Sequence, residues 1–309
     1  MAYTKLIPRH TQGSRVEEIS RGASHYRLTI PSGKADAYRL AQLDDYTLLS
    51  RRQFPHRLGL NLSLLARTSS DAIPGTWGFG LWNDPFGLSI GFGGKPFRLP
   101  ALPNAVWFFG ASEENYLSFK SSRSGRRATF ASHASAGEPE DEALLAKRAP
   151  SPLRSAFPSG TSQRDVPVNG FLAQSFRSPR FHPLLIFAGM ALLFSRKWAR
   201  RLMSRVIAED GIQLRTPSYA REKTVSVDPT QWHRYRLEWS PNRVSFEVDE
   251  VQAFESVVSP NPPLGLVIWI DNQYAAFTPE GRIGFGVLET PEPVWLEIRE
   301  LEIRELATG

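Results

Sequence analysis

Leu58, Leu60, Leu62 and Leu64 recur at every second position, with Gly59, Asn61 and Ser63 between them. Successive side chains leave a strand on opposite faces, so a period of two marks a strand with one face buried. The same period returns along the chain. YRLTI (26–30) alternates, and GTWGFGLWND (75–84) is a glycine-aromatic strand ending in a turn. WHRYRLEWSPNRVSFEVDE (232–250) reads as a hairpin: Tyr235, Leu237 and Trp239 alternate, Ser-Pro-Asn-Arg turns the chain, and Val244, Phe246 and Val248 alternate back. LGLVIWID (264–271) is a continuous apolar strand, and RIGFGVLE (282–289) and VWLEIRELEIREL (294–306) follow it. LEIRE occurs twice, at 296–300 and 301–305; a period of five fits neither strand nor helix, so the spacing predicts one strand with a bulge or a frayed end. Many short strands separated by turn signals predict an all-β antiparallel sandwich.

The chain of 309 residues is long enough to bury a sizeable core. Residues 1–24 are polar and mixed and read as an N-terminal arm, and 25–304 as a single β-sandwich domain. Two segments interrupt it. Residues 121–168 are rich in Ser, Ala, Pro and Arg and read as a low-complexity, disordered insertion. Residues 181–210 read as an apolar and basic amphipathic helix. Trp198, Ala199, Leu202, Met203, Val206 and Ile207 fill one side, and Arg196, Lys197, Arg200, Arg201 and Arg205 the other. Such a helix either packs on the sandwich or docks on a membrane surface, with Trp198, Arg196, Lys197, Arg200 and Arg201 as the contact residues. The uncharged run Leu184–Phe194 is too short to span a bilayer, which takes about 20 residues. Neither half of the β pattern has enough strands to close alone, so both are expected in one domain.

Composition narrows the chemistry. With no cysteine there is no disulfide framework, thiolate metal site or cysteine nucleophile. The six histidines do not pair at metal-ligand spacing, so neither metal nor cofactor is expected. No P-loop, dinucleotide fingerprint or nucleophile elbow is present; GFGGKP (91–96) lacks the loop length and ending of a phosphate cradle. The net charge of +6 sits largely in the middle segment and the basic helix, and with no nucleic-acid motif no nucleic acid is expected as partner. The N-terminal residues show no apolar signal region, which makes the cytoplasm the expected location.

Several segments, taken in order, resemble family 16 glycoside hydrolases and the wider concanavalin A-like lectin and glucanase jelly rolls. Gly75-Thr-Trp77-Gly-Phe-Gly-Leu-Trp82 is similar to the family's G-x-W-x-x-x-x-W strand. Trp232-His-Arg-Tyr-Arg-Leu-Glu-Trp239, a turn, and Val244-Ser-Phe-Glu-Val-Asp249 match its W-H-x-Y-x-x-x-W hairpin. Pro262 to Asp271 and Trp295-Leu-Glu-Ile298 follow in the family's order. The resemblance covers roughly residues 24–120 and 225–304. It implies a concanavalin A-like jelly roll and an oligo- or polysaccharide partner.

The family's catalysis uses an E-x-D-x-E or E-x-D-x-x-E strand, whose alternation puts the carboxylates on one face, about 5 Å apart in a retaining enzyme. By position this strand falls at AVWFFGASEENYLSF (105–119), where Glu113 and Glu114 are neighbours; on a strand they point to opposite faces. Glu247-Val-Asp249 and Glu300-Leu-Glu302 lack the rest of the pattern and read as solvated strand faces. The expectation is a non-hydrolytic carbohydrate-interacting protein. Its candidate ligand-binding residues are Trp77, Trp82, Asn83, Trp107, Asn115, Tyr116, Trp269, Asn272, Gln273 and Tyr274. The two alternatives are a retaining hydrolase using Glu113 or Glu114 with Asp271, and a membrane-peripheral binding protein docked through the basic helix.

Overall fold

A computed structural model describes residues 5–20, 24–85, 101–116, 169–179, 206–214, 226–277 and 283–306. Its strands form two large sheets. Sheet A has seven strands in the spatial order β1 (Ile7–His10), β4 (Leu40–Asp44), β13 (Gly265–Asp271), β6 (Thr76–Trp82), β7 (Ala105–Ala111), β8 (Gly170–Arg177) and β9 (Ala208–Gln213). Sheet B has seven, in the order β12 (Val251–Ser256), β11 (Arg243–Val248), β10 (His233–Ser240), β5 (Leu60–Thr68), β16 (Val294–Glu305), β3 (His25–Ile30) and β2 (Arg15–Ser20). A short hairpin, β14 (Gln273–Phe277) and β15 (Ile283–Val287), leaves the end of sheet A. Every ladder is antiparallel. The chain changes sheet between β1 and β2, β3 and β4, β4 and β5, and β5 and β6, which is the winding of a jelly-roll sandwich. Among the described residues one 3₁₀ turn, Arg51–Gln53, interrupts the strands.

The leucine alternation does what the sequence requires. Leu60, Leu62 and Leu64 point inward from β5 and are almost fully buried. They pair with Trp239, Leu237 and Tyr235 on β10, which in turn sit opposite Val244, Phe246 and Val248 on β11. From sheet A the inward residues are Trp77, Phe79 and Leu81 on β6, Val106 and Phe108 on β7, and Leu266, Ile268 and Ile270 on β13. Rings from the two sheets interlock: Phe79 lies 5.1 Å from Tyr235, Phe108 5.2 Å from Phe246 and Phe171 5.8 Å from Tyr235. Each large side chain buried here stabilises the fold by about 1.5–3 kcal/mol. Burial also pushes the Tyr235 phenol far above its ordinary range.

Strand β16 resolves the LEIRE repeat. It runs unbroken through Glu305, with one irregularity between Arg299 and Glu302 against Leu65 and Ser63 of β5. Three steps on β16 there match two on β5, which is one extra residue. Glu300 sits in that bulge with φ 55°. Leu296, Ile298, Leu301 and Ile303 therefore all pack on the core.

Three expectations need correction. The polar arm 1–24 supplies an edge strand to each sheet, β1 and β2, because an edge strand exposes most of its side chains and shows no alternation. Residues Ala208–Asp210, expected at the end of the helix, belong to β9 and hydrogen-bond to β8. Strand β8 itself, FLAQSFR, was not expected; both its faces are buried, so it carries no period of two. Residues 181–205 of the expected helix, with Trp198, Arg196, Lys197, Arg200 and Arg201, and the 121–168 insertion lie outside the described residues; Ile207 is buried beside Trp107 and Phe176.

Candidate functional site

Residues directly opposite in an antiparallel ladder share a face, so the register alone maps the outer side of sheet A. One row is Gln42, Trp269, Gly78, Phe109 and Leu172. The next is Asp44, Val267, Gly80, Trp107, Gln174 and Gly211. A third is Gly265, Trp82, Ala105, Phe176 and Glu209. Beyond Gln42 and Trp269 lie Leu40, Asp271, Thr76 and Ala111.

Glycines and large groups alternate across this face for a steric reason. A Cβ on Gly78 would come 2.8 Å from Trp269 Cη2, and one on Gly80 2.6 Å from Trp107 Cβ. A Cβ on Gly265 would run into the Tyr46 ring, and one on Gly211 would come 2.7 Å from Gln174 Cγ. The rings and amides thus lie down on bare backbone. Trp82 and Trp269 are parallel within 3°, with centroids 6.1 Å apart. Trp107 stands 6.0 Å from Trp82 and 5.7 Å from Trp269, and Phe109 and Phe176 close around it.

The indole N–H groups meet different fates. Trp82 Nε1 donates to the Tyr46 hydroxyl at 2.8 Å. Trp269 Nε1 donates to Thr76 Oγ1 at 3.0 Å. Trp107 Nε1 is buried with no hydrogen-bond acceptor, and the residue is only 6% exposed. A buried donor left without a partner costs about 1–3 kcal/mol.

The polar side chains of the face are tied down. Asp44 accepts from Gln42 Nε2 at 2.7 Å, from Thr47 Oγ1 at 2.7 Å and from the Thr47 and Tyr46 amides, so it builds the turn after β4. Burial first, and then the carboxylates Asp84 and Asp44, push the Tyr46 phenol well above its usual range. Asp271 accepts from Thr76 Oγ1 at 2.7 Å, from the Tyr38 hydroxyl at 3.1 Å and from the Gln273 amide at 3.2 Å. Burial dominates its titration and pushes the carboxyl up to about 6, against the pull of those three donors.

The expected site residues divide accordingly. Trp82, Trp107, Trp269 and Asp271 share the outer face. Trp77 faces the opposite way, stacked on Phe171 at 4.8 Å in the core, because it is five residues from Trp82 on one strand. Glu113 and Glu114 are not on a strand at all: β7 ends at Ala111, and both lie exposed in a turn closed by Asn115 N to Ser112 O. The outward positions of β7 are Ala105, Trp107, Phe109 and Ala111, with no carboxylate. Asn115 and Asn272 are buried architectural residues. Asn115 holds Gly75 O and the Ala275 amide, and Asn272 holds Ala37 O, Leu288 O and the Arg39 amide. Asn83 ties β6 to Leu102 and Asn104, whereas Tyr116, Gln273 and Tyr274 belong to the β14–β15 hairpin and its contacts. Gln42, Asp44, Gln174 and Glu209 complete the outer face, and only the register identifies them. Among the described residues, no group of three or more side chains suits a metal ion, and no helix is long and apolar enough to cross a membrane.

No family model and no curated protein matches the chain. Among solved structures it is similar to an endo-β-1,4-glucuronan lyase from the fungus Trichoderma reesei, at 10% identity and TM-score 0.45, over 96% of this chain and 89% of that one. It is also similar to a legume lectin-like domain from Entamoeba histolytica, at 9% identity and TM-score 0.41, over 98% and 90%. A glycosyl hydrolase family protein from Mycobacterium fortuitum shares 10% identity at TM-score 0.38, over 98% and 93%. The sandwich is defined by its own strand order.

Proposed function

We propose that the protein binds an oligo- or polysaccharide on the outer face of sheet A and does not hydrolyse it. The observation that carries this reading is the Trp107 N–H, buried without an acceptor inside a cluster of flat aromatic rings. A sugar hydroxyl supplies the missing acceptor while its C–H face stacks on a neighbouring indole. Trp82 is the half-buried ring of the three tryptophans and is the one a ligand meets first. The motifs shared with the glucanase and lectin jelly rolls support the same ligand class.

Hydrolysis is disfavoured by three features. The outward side of β7 has no carboxylate, Glu113 and Glu114 stand in an exposed turn, and both oxygens of Asp271 are occupied by Thr76, Tyr38 and Gln273. A retaining pair needs two carboxyls about 5 Å apart flanking the scissile bond.

The test is affinity electrophoresis and a glycan array with the intact chain, beside a reducing-sugar assay. The expected result is retention by at least one glycan, no sugar release, and at least tenfold weaker retention for Trp82→Ala. Retention by no glycan, or a Trp82→Ala variant that binds as the parent does, overturns the reading. Sugar release abolished by Asp271→Asn restores the hydrolase.

A further inference from the structure

A chain of hydrogen bonds runs along the edge of the outer face. Trp269 Nε1–H donates to Thr76 Oγ1 at 3.0 Å, and the Thr76 hydroxyl donates to Asp271 Oδ1 at 2.7 Å. Thr76 and Asp271 are directly opposite each other on β6 and β13, and Trp269 is two residues before Asp271 on the same face. One threonine oxygen therefore links the indole to the carboxylate. A hydroxyl has one proton to give: while it points at Asp271, its lone pairs are turned towards Trp269. The Gln273 amide also donates to Oδ1, and the Tyr38 hydroxyl donates to Oδ2, so the carboxylate is held on both sides.

We infer that Asp271 is a positioning residue for the aromatic platform, fixing the Thr76 hydroxyl and through it the plane of the Trp269 indole. This rests on the proposed glycan site only for its purpose; the coupling is a property of the chain itself. Trp269 has no other polar handle; the rest of its ring is held by apolar packing against Trp82, Trp107 and Phe109. The ring is parallel to Trp82, whose own N–H is held by Tyr46. Two indoles pinned at their N–H ends leave little to order when a sugar ring arrives, and pre-ordering of this kind raises affinity. The titratable and charged groups facing Asp271 are few. Tyr38 contacts it from the segment before β4, and Arg9 of β1 acts on Tyr38. Thr76 from β6, the Gln273 amide from β14 and Leu40 across β4 carry no charge.

The experiment follows the Trp269 indole ¹⁵N–¹H resonance of the ligand-free protein from about pH 4.5 to about pH 8, assigned by its disappearance in Trp269→Phe. The expected result is a shift with a midpoint near 6, where Asp271 takes up its proton. That shift is abolished in Asp271→Asn. In Thr76→Val, an isostere without the hydroxyl, the resonance moves at every pH and no longer titrates; Thr76→Ser restores the parent behaviour. A Trp269 resonance that does not titrate in the parent, or one that still titrates in Asp271→Asn or Thr76→Val, overturns the inference. The parent protein and the isosteric Thr76→Val keep the test decisive even where Asp271→Asn folds poorly. For whichever glycan the parent retains, Thr76→Val is expected to bind about three- to tenfold more weakly. Failure of all glycan binding removes the proposed function and leaves the resonance test standing, so the two outcomes are read separately.

Discussion

Replacing Asp271 by Asn probes the cost of placing a carboxyl where it is. The side chain is only 6% exposed, and its titration is raised from 3.8 to about 6. The folded protein thus binds this proton more tightly than the unfolded chain. Between those two values the folded state carries more protons, so ν_U − ν_N is negative and stability falls as pH rises. The lost stability is about 3 kcal/mol, from roughly two pH units at about 1.4 kcal/mol each, and it is fully lost above about pH 6. Asparagine has nearly the same shape. It keeps one oxygen for Thr76 and Gln273, and its NH₂ faces Tyr38, whose hydroxyl can turn to accept. The assay is urea unfolding of both proteins at intervals from about pH 4 to about pH 8. Subtracting the variant from the parent cancels every other titrating group. The parent-minus-variant difference is expected to fall by about 3 kcal/mol across this window, with Asn the more stable form at neutral pH. A difference that stays flat within about 0.5 kcal/mol, or one that rises with pH, refutes the reasoning.

Three further outcomes follow from named contacts. Trp107→Phe loses ring volume but also removes an unpaired buried donor, so its net change in a urea melt is expected within about 1 kcal/mol of zero; Trp239→Phe, which also abandons a hydrogen bond to Pro260 O, costs about 2–4 kcal/mol. Glu297 on sheet B is nearly buried and accepts from His25, Arg27 and Arg67, so Glu297→Gln is expected to destabilise by about 2 kcal/mol at neutral pH. Burial alone would raise the Glu297 carboxyl, but those three donors hold it below its ordinary 4.5. Its contribution is present above that value and vanishes as pH falls through the lower folded one, so parent and Gln variant converge in acid melts. Gly78→Ala drives a methyl against the Phe108 carbonyl of β7 and the Trp269 indole, and is expected to lower stability in a urea melt, change near-UV circular dichroism and weaken glycan retention at least tenfold.

The sandwich was legible where burial is one-sided. β5, β10 and β11 each bury one face, and their alternation gives strand, register and core together. It was illegible at β2, exposed almost throughout, and at β8, buried on both sides, because neither has two faces that differ. The site was legible in its rings: Trp82, Trp107 and Trp269 do share a face. Trp77 lies at an odd spacing from Trp82 on one strand, and alternation sends it to the core instead. The glutamates misled for another reason. Their aromatic lead-in reads as a strand running on through Glu114, but the strand stops at Ala111, and the Ser112–Asn115 turn takes over. Gln42, Gln174 and Glu209 carry no local pattern. Their proximity arises from pairing between strands far apart in the chain, which no window of sequence contains.

The bulge at Glu300 has a consequence for how this strand can change length. A two-fold structure accepts added residues in pairs without loss of phase; an odd addition inverts everything beyond it. The second LEIRE is an odd addition, and Glu300 is the single residue that absorbs the remainder. Its left-handed backbone resets the phase, so Glu302 and Arg304 face outward like Glu297 and Arg299 before them. Deleting Glu300 alone would remove the bulge and leave plain alternation with Leu301 and Ile303 still on the core, whereas deleting Glu302 would keep the bulge and turn Ile303 to water. Deleting five residues as a block would shorten the strand and leave every remaining side chain on its proper side.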